Sequence, residues 1–349
     1  MTAPPPVPDT LDALLDPAWL TAALGARFPW IEVKRVVPGP VVERLSTNAR
    51  FTVECAGGTP PGLVPTLCAK GYFGEKGRNM VHVGEPEARF YAMLADATGV
   101  HTLRSVYADV HPETRHGVII TEDVVAAGGE FLDALSPYSP EQAAQSLAEL
   151  AQLHAATWGP HPLASEPWLA SRLSTYFAYR GVDDIQRNFE GPVGVDVARE
   201  VADAQRLAAA LRVLAAREEG PGWAVIHGDA HVGNVFLDAD GAPALVDWQV
   251  VQRGHWGIDV GYHIASALTT PDREAAERDL LAHYLECLES HGIDPPSWDE
   301  VWDAYRAGIA YGYFMWAITL VVKPAIIRVL LQRLSAAAAA HDSFGALGV

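Results

Sequence analysis

An α+β fold in two parts is predicted for this chain, on three observations. The first third alternates short β-type segments with one main helical segment, and the remaining two thirds are dominated by helical periodicity. That second part is interrupted by one β-type stretch, from about Ala224 to Asp247, dense in His, Gly, Asp and Asn. A length of 349 residues allows two lobes with a sizeable core, and 49% hydrophobic against 19% charged residues places the chain among folded proteins rather than disordered ones.

Residues 1–9 are Pro-rich and read as an unstructured lead, after which Leu11, Leu14, Leu15 and Leu20 suggest a short amphipathic helix capping the first lobe. From Ile31 to about Phe73, the segments IEVKRVV, ARFTVEC and TLCAKGYF are rich in β-branched residues or alternate apolar with polar ones, with Pro/Gly clusters between them. They predict an antiparallel sheet. GEPEARFYAML then carries Pro86 near a helix start. RSVYADV and HGVIITEDV predict two more strands, the second apolar enough for a central position, so that a sheet wraps around one helix. The first lobe is taken as residues 1–123 and the second, larger and mainly helical, as 124–349. In SPEQAAQSLAELAQLHAATW, Ser139 suits an N-cap and Pro140 the first helical position.

The formal charge of −18 opposes nucleic-acid backbones and anionic membrane surfaces as partners, but leaves room for a local cationic pocket around a small ligand. Cys55, Cys68 and Cys287 are too few for a disulfide framework and lack the C-x-x-C spacing of zinc or redox sites. The first residues show no basic and apolar regions of a signal peptide, so a cytoplasmic location is expected. The longest uncharged stretch, Ala307 to Val322, has 16 residues where a spanning helix needs about 20, and is read as a buried core helix.

The chemistry concentrates in AVIHGDAHVGNVFLDADGAPALVDW. Val235 to Leu237 and Ala244 to Val246 form a hairpin about Asp240-Gly241, which brings Asn234 and Asp247 to the same end although they are 13 residues apart. A neutral and an anionic oxygen donor side by side suit Mg2+, which is held by one or two protein oxygens together with substrate phosphates. Asp229 precedes Asn234 by four intervening residues, the offset between base and metal-binding Asn in the protein-kinase loop H-R-D-x-x-x-x-N. A carboxylate so placed accepts the proton of an attacking hydroxyl.

His227, Gly228, Asp229, His231 and Asn234, followed by Leu245-Val246-Asp247-Trp248, resemble the H-G-D-x-H-x-x-N loop and following hydrophobic-Asp segment of the aminoglycoside phosphotransferase and choline kinase superfamily, a loop shared by ecdysteroid-kinase-like proteins. The resemblance implies a protein-kinase-like two-lobed fold, ATP or GTP with Mg2+ in the cleft, a nucleotide-binding first lobe, and a hydroxylated small molecule as acceptor: an antibiotic, amino alcohol, sugar or steroid-like alcohol. It also implies that Asp229 is the base, that Asn234 and Asp247 hold the metal, and that His227 supports the loop.

A site of this kind needs a strand lysine on the phosphates and a helix glutamate to hold it. Lys70 lies in an apolar strand where a buried charge asks for a partner, and Glu87, Tyr91 and Leu94 share one helical face. Glu85 is the second candidate for that partner, and a solvated edge position for Lys70 is the plainer alternative. The segment GPVVERLSTNARF has Gly39 but no G-x-G-x-x-G, so Ser46, Thr47 and Asn48 are the expected phosphate donors in its place. Glu122 and Val124 mark the segment whose backbone would pair with the base. Asp259 suits a helix cap, and the resemblance implies a structural aspartate placed against the backbone of the catalytic loop. On the acceptor side, His231, Trp248, His255, Trp256 and Tyr262 cluster in sequence near the base, and with the aromatic helix AYGYFMWAITL an apolar lining there would favour a lipid-like or steroid-like alcohol, whereas core packing is the plainer reading for most of these aromatics. Two other readings compete: a catalytically weak nucleotide-binding regulatory module, suggested by the missing Gly-rich loop, and a metal hydrolase with His227, Asp229 and His231 as ligands.

Overall fold

The computed structural model describes residues 5–178 and 180–349. Two short helices come first, α1 (Leu11–Leu14), capped by Thr10, and α2 (Pro17–Leu24), capped by Asp16 with Pro17 at its first position. Of the lead expected over residues 1–9, residues 1–4 lie outside the described ones, and the rest is packed: Val7 is buried, and the Trp19 indole donates to the Pro6 carbonyl at 3.0 Å.

Strands β1 (Val33–Glu43), β2 (Thr47–Cys55) and β3 (Thr66–Gly71) follow, then helices α3 (Glu85–Met93) and α4 (Ala95–Thr98), then β4 (Ser105–Val110) and β5 (Gly117–Glu122). The five strands form one antiparallel sheet in the order β1-β2-β3-β5-β4, with β5 inside as its apolar run requires. Alternation decides the two faces. On β3, Leu67 and Ala69 point into a core shared with Leu14, Leu20 and Leu24, so Cys68 and Lys70 face the opposite side. Helices therefore cover both faces: α1 and α2 form the expected cap on one, and α3, the main helix, lies on the other.

The second part opens with β6 (Glu130–Phe131), which pairs with β8 (Val235–Leu237) next to β9 (Pro243–Leu245). Helices α5 (Pro140–Ala156), α6 (Val182–Glu190) and α7 (Ala204–Ala215) lie between β6 and β7 (Trp223–Ile226). Ser139 and Gln142 close a capping box on α5. Strand β10 (Gln252–His255) pairs antiparallel with β7; the sequence reading placed the first strand but missed β10, whose Gln252-Arg253-Gly254-His255 lacks the apolar alternation of a strand.

Helices α8 (Gly257–Ala267), α9 (Thr270–Ser290), α10 (Trp298–Ala317), α11 (Pro324–Ala340) and α12 (Ser343–Ala346) complete the lobe. Every residue of α8 is buried, as in a helix enclosed on all sides. α10 crosses it closely because Gly261 meets Gly308: a Cβ on Gly261 would stand 2.8 Å from the Gly308 Cα. The Ala307 to Val322 stretch falls largely in α10, and no helix among the described residues is long and apolar enough to cross a membrane. The predicted boundary between residues 123 and 124 lies just after β5.

Candidate active site

The loop between β7 and β8 is held from α8, which reaches it with residues on successive turns. The buried Asp259 carboxylate accepts from the backbone N–H groups of His227 (2.6 Å) and Gly228 (2.8 Å), and contacts His154 Nε2 at 3.2 Å. Asp259 therefore caps the loop and not its own helix. His263 Nδ1 lies 2.8 Å from the Ala230 carbonyl, and its Nε2 2.7 Å from Ser146 Oγ. Residues 259 and 263 are four apart and so share a helix face. Gly228 has φ of +77°, a left-handed conformation that suits glycine, and a Cβ there would meet the Val250 carbonyl. His227 Nδ1 accepts from the Asp229 N–H at 3.2 Å and its Nε2 pairs with the Val246 carbonyl at 2.9 Å, which fits a supporting role.

The Asp229 carboxylate, a quarter exposed, meets three side chains. Asn234 Nδ2 donates to Oδ2 at 3.1 Å and to the Asp229 carbonyl at 2.8 Å, the Tyr262 hydroxyl donates to Oδ1 at 3.0 Å, and His231 Nε2 stands 3.6 Å from Oδ2. Burial pushes the carboxyl up, but His231, His227 and the tyrosine hydroxyl outweigh it and hold Asp229 below the ordinary range. It is ionised at neutral pH, as a proton acceptor must be.

Val235 pairs with Leu245, and the Val246 N–H donates to the Asn234 carbonyl at 2.9 Å, so Asn234 and Asp247 do emerge at one end of the hairpin. Because the Asn234 amide nitrogen is spent on Asp229, its oxygen is left available. Asp247 has φ of +66° and ψ of +64°, a strained left-handed conformation for a non-glycine residue, and its half-open carboxylate contacts Lys70 Nζ at 3.0 Å. Lys70 also pairs with the buried Glu87 at 2.7 Å. Burial disfavours charge on Lys70, yet the two carboxylates prevail and hold its ammonium above the ordinary lysine range. Glu85 turns the other way, to Arg89 and Arg115.

Ser46, Thr47 and Asn48 form the end of the β1–β2 hairpin, with Thr47 paired to Gly71 and Asn48 to Lys70. Ser46 and Thr47 are buried, and the Thr47 hydroxyl has no hydrogen-bond partner among the described residues. Glu122 ends β5, pairing with Arg104, and Val124 follows; the Val124 N–H donates to no backbone carbonyl among the described residues. Beside them lies a groove of about 260 Å³, bordered by Val37, Gly39, Arg50, Thr66, Asp123 and Val125.

Most of the expected acceptor lining is elsewhere. Trp248 is wholly buried and stacked on Phe90 of α3 at 3.7 Å, its indole bonded to Thr102. His255 and Trp256 follow β10 away from the loop: Gln252 faces Ile226 but His255 faces Trp223, about 10 Å along the ladder. Trp256 stacks on Tyr284 in the core. Tyr262 is also fully buried, against Asp229 itself. Only His231 retains partial exposure beside the base. The apolar-lining argument for a lipid-like or steroid-like acceptor therefore loses its support: those aromatics are core.

His227 already uses both ring nitrogens within the protein, and no group of three or more His, Cys, Asp or Glu suited to a metal occurs among the described residues, so the hydrolase reading has no ligand set. A two-lobed α+β chain with a lysine, a glutamate and two aspartates converging at the lobe junction is thus what the comparisons address. The model of the phosphotransferase enzyme family matches residues 82–301. The chain belongs to that family. It is a phosphotransferase.

Solved structures similar to this phosphotransferase include an ethanolamine kinase of Plasmodium vivax, 10% identical with a TM-score of 0.52, covering 91% of this chain and 86% of that one. A choline kinase of Cryptosporidium parvum is 12% identical with a TM-score of 0.50, covering 90% and 89%. An aminoglycoside-3'-phosphotransferase of type VIII is 22% identical with a TM-score of 0.43, covering 83% and 96%. The first two support the kinase-like fold. No curated protein matches the chain.

Proposed function

We propose that this phosphotransferase moves the γ-phosphoryl group of ATP or GTP to a hydroxyl of a small molecule, with Asp229 as base and Mg2+ held by Asn234 and Asp247. The observation that carries this reading is the contact of Lys70 with Asp247, side chains 177 residues apart, which joins the first lobe's lysine to the second lobe's metal-type aspartate beside Asp229. The donor set fits the metal: one free amide oxygen and one carboxylate are hard ligands, and a Mg2+ site completed by phosphates and water needs no more from the protein. Bound there, Mg2+ would neutralise charge on the transferring phosphoryl group.

The chain's own residues supply the rest. Lys70, oriented by Glu87, offers its ammonium to the phosphates. Asn48 pairs with Lys70 and so shares its sheet face, where its amide is the donor offered from the first hairpin, whereas Thr47 pairs with Gly71 and turns its hydroxyl to the opposite face; the Glu122 to Val124 backbone meets the nucleobase. Asp229, already ionised, takes the acceptor's proton as the bond to phosphorus forms. Choline, ethanolamine and aminoglycosides are natural first acceptors to try, since kinases of similar fold bear those names.

The test is a screen of these and other hydroxylated compounds with ATP and Mg2+, read as a mass gain of one phosphoryl group. Asp229→Asn is expected to abolish transfer while ADP still binds. Transfer at near wild-type rate in that variant would remove Asp229 from the mechanism. ADP formation with no acceptor modified in any trial would favour the nucleotide-binding regulatory module.

A further inference from the structure

Asp229 is aimed by a hydroxyl that is itself aimed by an indole. The Tyr262 hydroxyl lies 3.0 Å from Asp229 Oδ1, and Trp316 Nε1 lies 2.6 Å from the Tyr262 oxygen. An indole N–H can only donate, so the tyrosine oxygen must be its acceptor. The phenol has one proton, and with its oxygen accepting from Trp316 that proton is left for the carboxylate. Tyr262 is completely buried and Trp316 nearly so, which keeps water from offering either group another partner. Burial and the neighbouring Asp229 charge push the phenol well above its ordinary range, so the proton stays on the tyrosine.

On the other side of the same carboxylate, Asn234 Nδ2 donates to Oδ2 at 3.1 Å. Each oxygen of Asp229 thus has its own fixed donor, one from the loop and one from α8, and rotation about the carboxylate axis would break both. Hydrogen bonds to an ionised carboxylate are stronger than neutral ones, so the orientation is well held. The tyrosine and tryptophan come from helices that meet only because Gly261 and Gly308 let α8 and α10 cross closely.

We propose that Tyr262 is a positioning residue for phosphoryl transfer, directed by Trp316, and that it holds the Asp229 carboxylate at the rotation from which it meets the acceptor hydroxyl. The inference rests on Asp229 being the base. Trp316 also lies against the His231 ring, 5.1 Å between centroids, so a route through His231 is the competing explanation for any effect of the tryptophan.

The experiment uses the full chain, with ADP release from ATP and Mg2+ as the rate, water serving as the hydroxyl, and ADP titration as the measure of the nucleotide site. Tyr262→Phe removes one oxygen and is expected to lower kcat about 10- to 100-fold, as misaligned catalytic groups do, while KM for ATP and the ADP Kd stay within about two-fold. Trp316→Phe is expected to lower kcat by a smaller factor, about 3 to 10. The double variant should match Tyr262→Phe alone, because the tryptophan acts only through the hydroxyl it directs. Three results would overturn the proposal: an unchanged kcat in Tyr262→Phe, an equal loss of kcat and ADP affinity, or a double variant that multiplies the two single effects. If Tyr262→Phe does not fold, the split between kcat and ADP affinity in Trp316→Phe decides in the same way. Asp229→Asn measured alongside separates the two levels: near wild-type hydrolysis there fails the base, whereas a dead Asp229→Asn with a normal Tyr262→Phe fails only the positioning role.

Discussion

The loop of residues 227–234 and the β1–β2 hairpin face the same junction from opposite lobes, and they are built differently. The loop is tied by side chains at almost every residue: Asp259 on the N–H groups of His227 and Gly228, Tyr311 on the Gly228 carbonyl at 2.7 Å, Tyr262 and Asn234 on Asp229, His263 on the Ala230 carbonyl. The hairpin is held mainly by its backbone ladder. Its register shifts between Pro38 and Val41, Val41, Val42 and Leu45 are exposed, and the Thr47 hydroxyl lacks a partner among the described residues. The contrast teaches that this fold spends its buried polar contacts on the loop that carries Asp229. The hairpin is left to main-chain pairing, which tolerates changes in side chain.

The comparison can be broken most severely at Asp259. Asp259→Ala would strand two buried N–H donors, and an expected loss of about 3 kcal/mol or more should appear as a large fall in the denaturation midpoint together with loss of transfer. An unchanged midpoint would show that the loop does not depend on its α8 anchor. Next in size is acid sensitivity. Burial pushes His263 down to about 4 from an ordinary 6.5, so between those values the unfolded chain binds more protons than the folded one. The stability this neutral imidazole contributes is complete above pH 6.5 and is lost as pH falls towards 4, by roughly 3 kcal/mol. His255, also buried and pushed down to about 4, adds in the same direction. Denaturant melts from pH 7 to pH 4 should show the decline, and His263→Gln should flatten it while lowering stability at pH 7. The smallest effect belongs to the hairpin. Thr47→Val removes a buried hydroxyl with no partner among the described residues, so stability should hold or rise by up to about 1 kcal/mol, and because Thr47 faces away from Lys70 the ADP affinity should stay within about two-fold.

Much of the fold and part of the candidate site could be read before the structure. Ser139 and Pro140 announce α5 through capping chemistry, and the apolar run of β5 announces an interior strand, because both are short-range signals. Glu87 could be separated from Glu85 by the helical face it shares with Tyr91 and Leu94, and the structure gives Glu87 to Lys70 and Glu85 to Arg89 and Arg115. Between pocket lining and core packing, the two readings of the aromatic residues, the sequence could not choose, for the opposite reason. Trp248, His255, Trp256 and Tyr262 are neighbours in sequence, but a strand and a helix start among them and send each side chain a different way. The overlooked partners, His154, His263 and Ser146, did leave one trace: polar groups on the apolar faces of helices, which ask what they are bonded to.

By itself, the sequence determined the spacing of Asp229, Asn234 and Asp247 about a loop and a hairpin, since turn geometry and strand pairing over so short a distance leave few alternatives. Only the tertiary structure decided that Lys70 reaches Asp247, that the Asp259 carboxylate spans the N–H groups of both His227 and Gly228, and that Tyr262 grips Asp229. Each of those contacts depends on how separate elements cross and how closely, above all where Gly261 lets α10 approach α8. Such distances are sums over many packed side chains, and no local pattern encodes them.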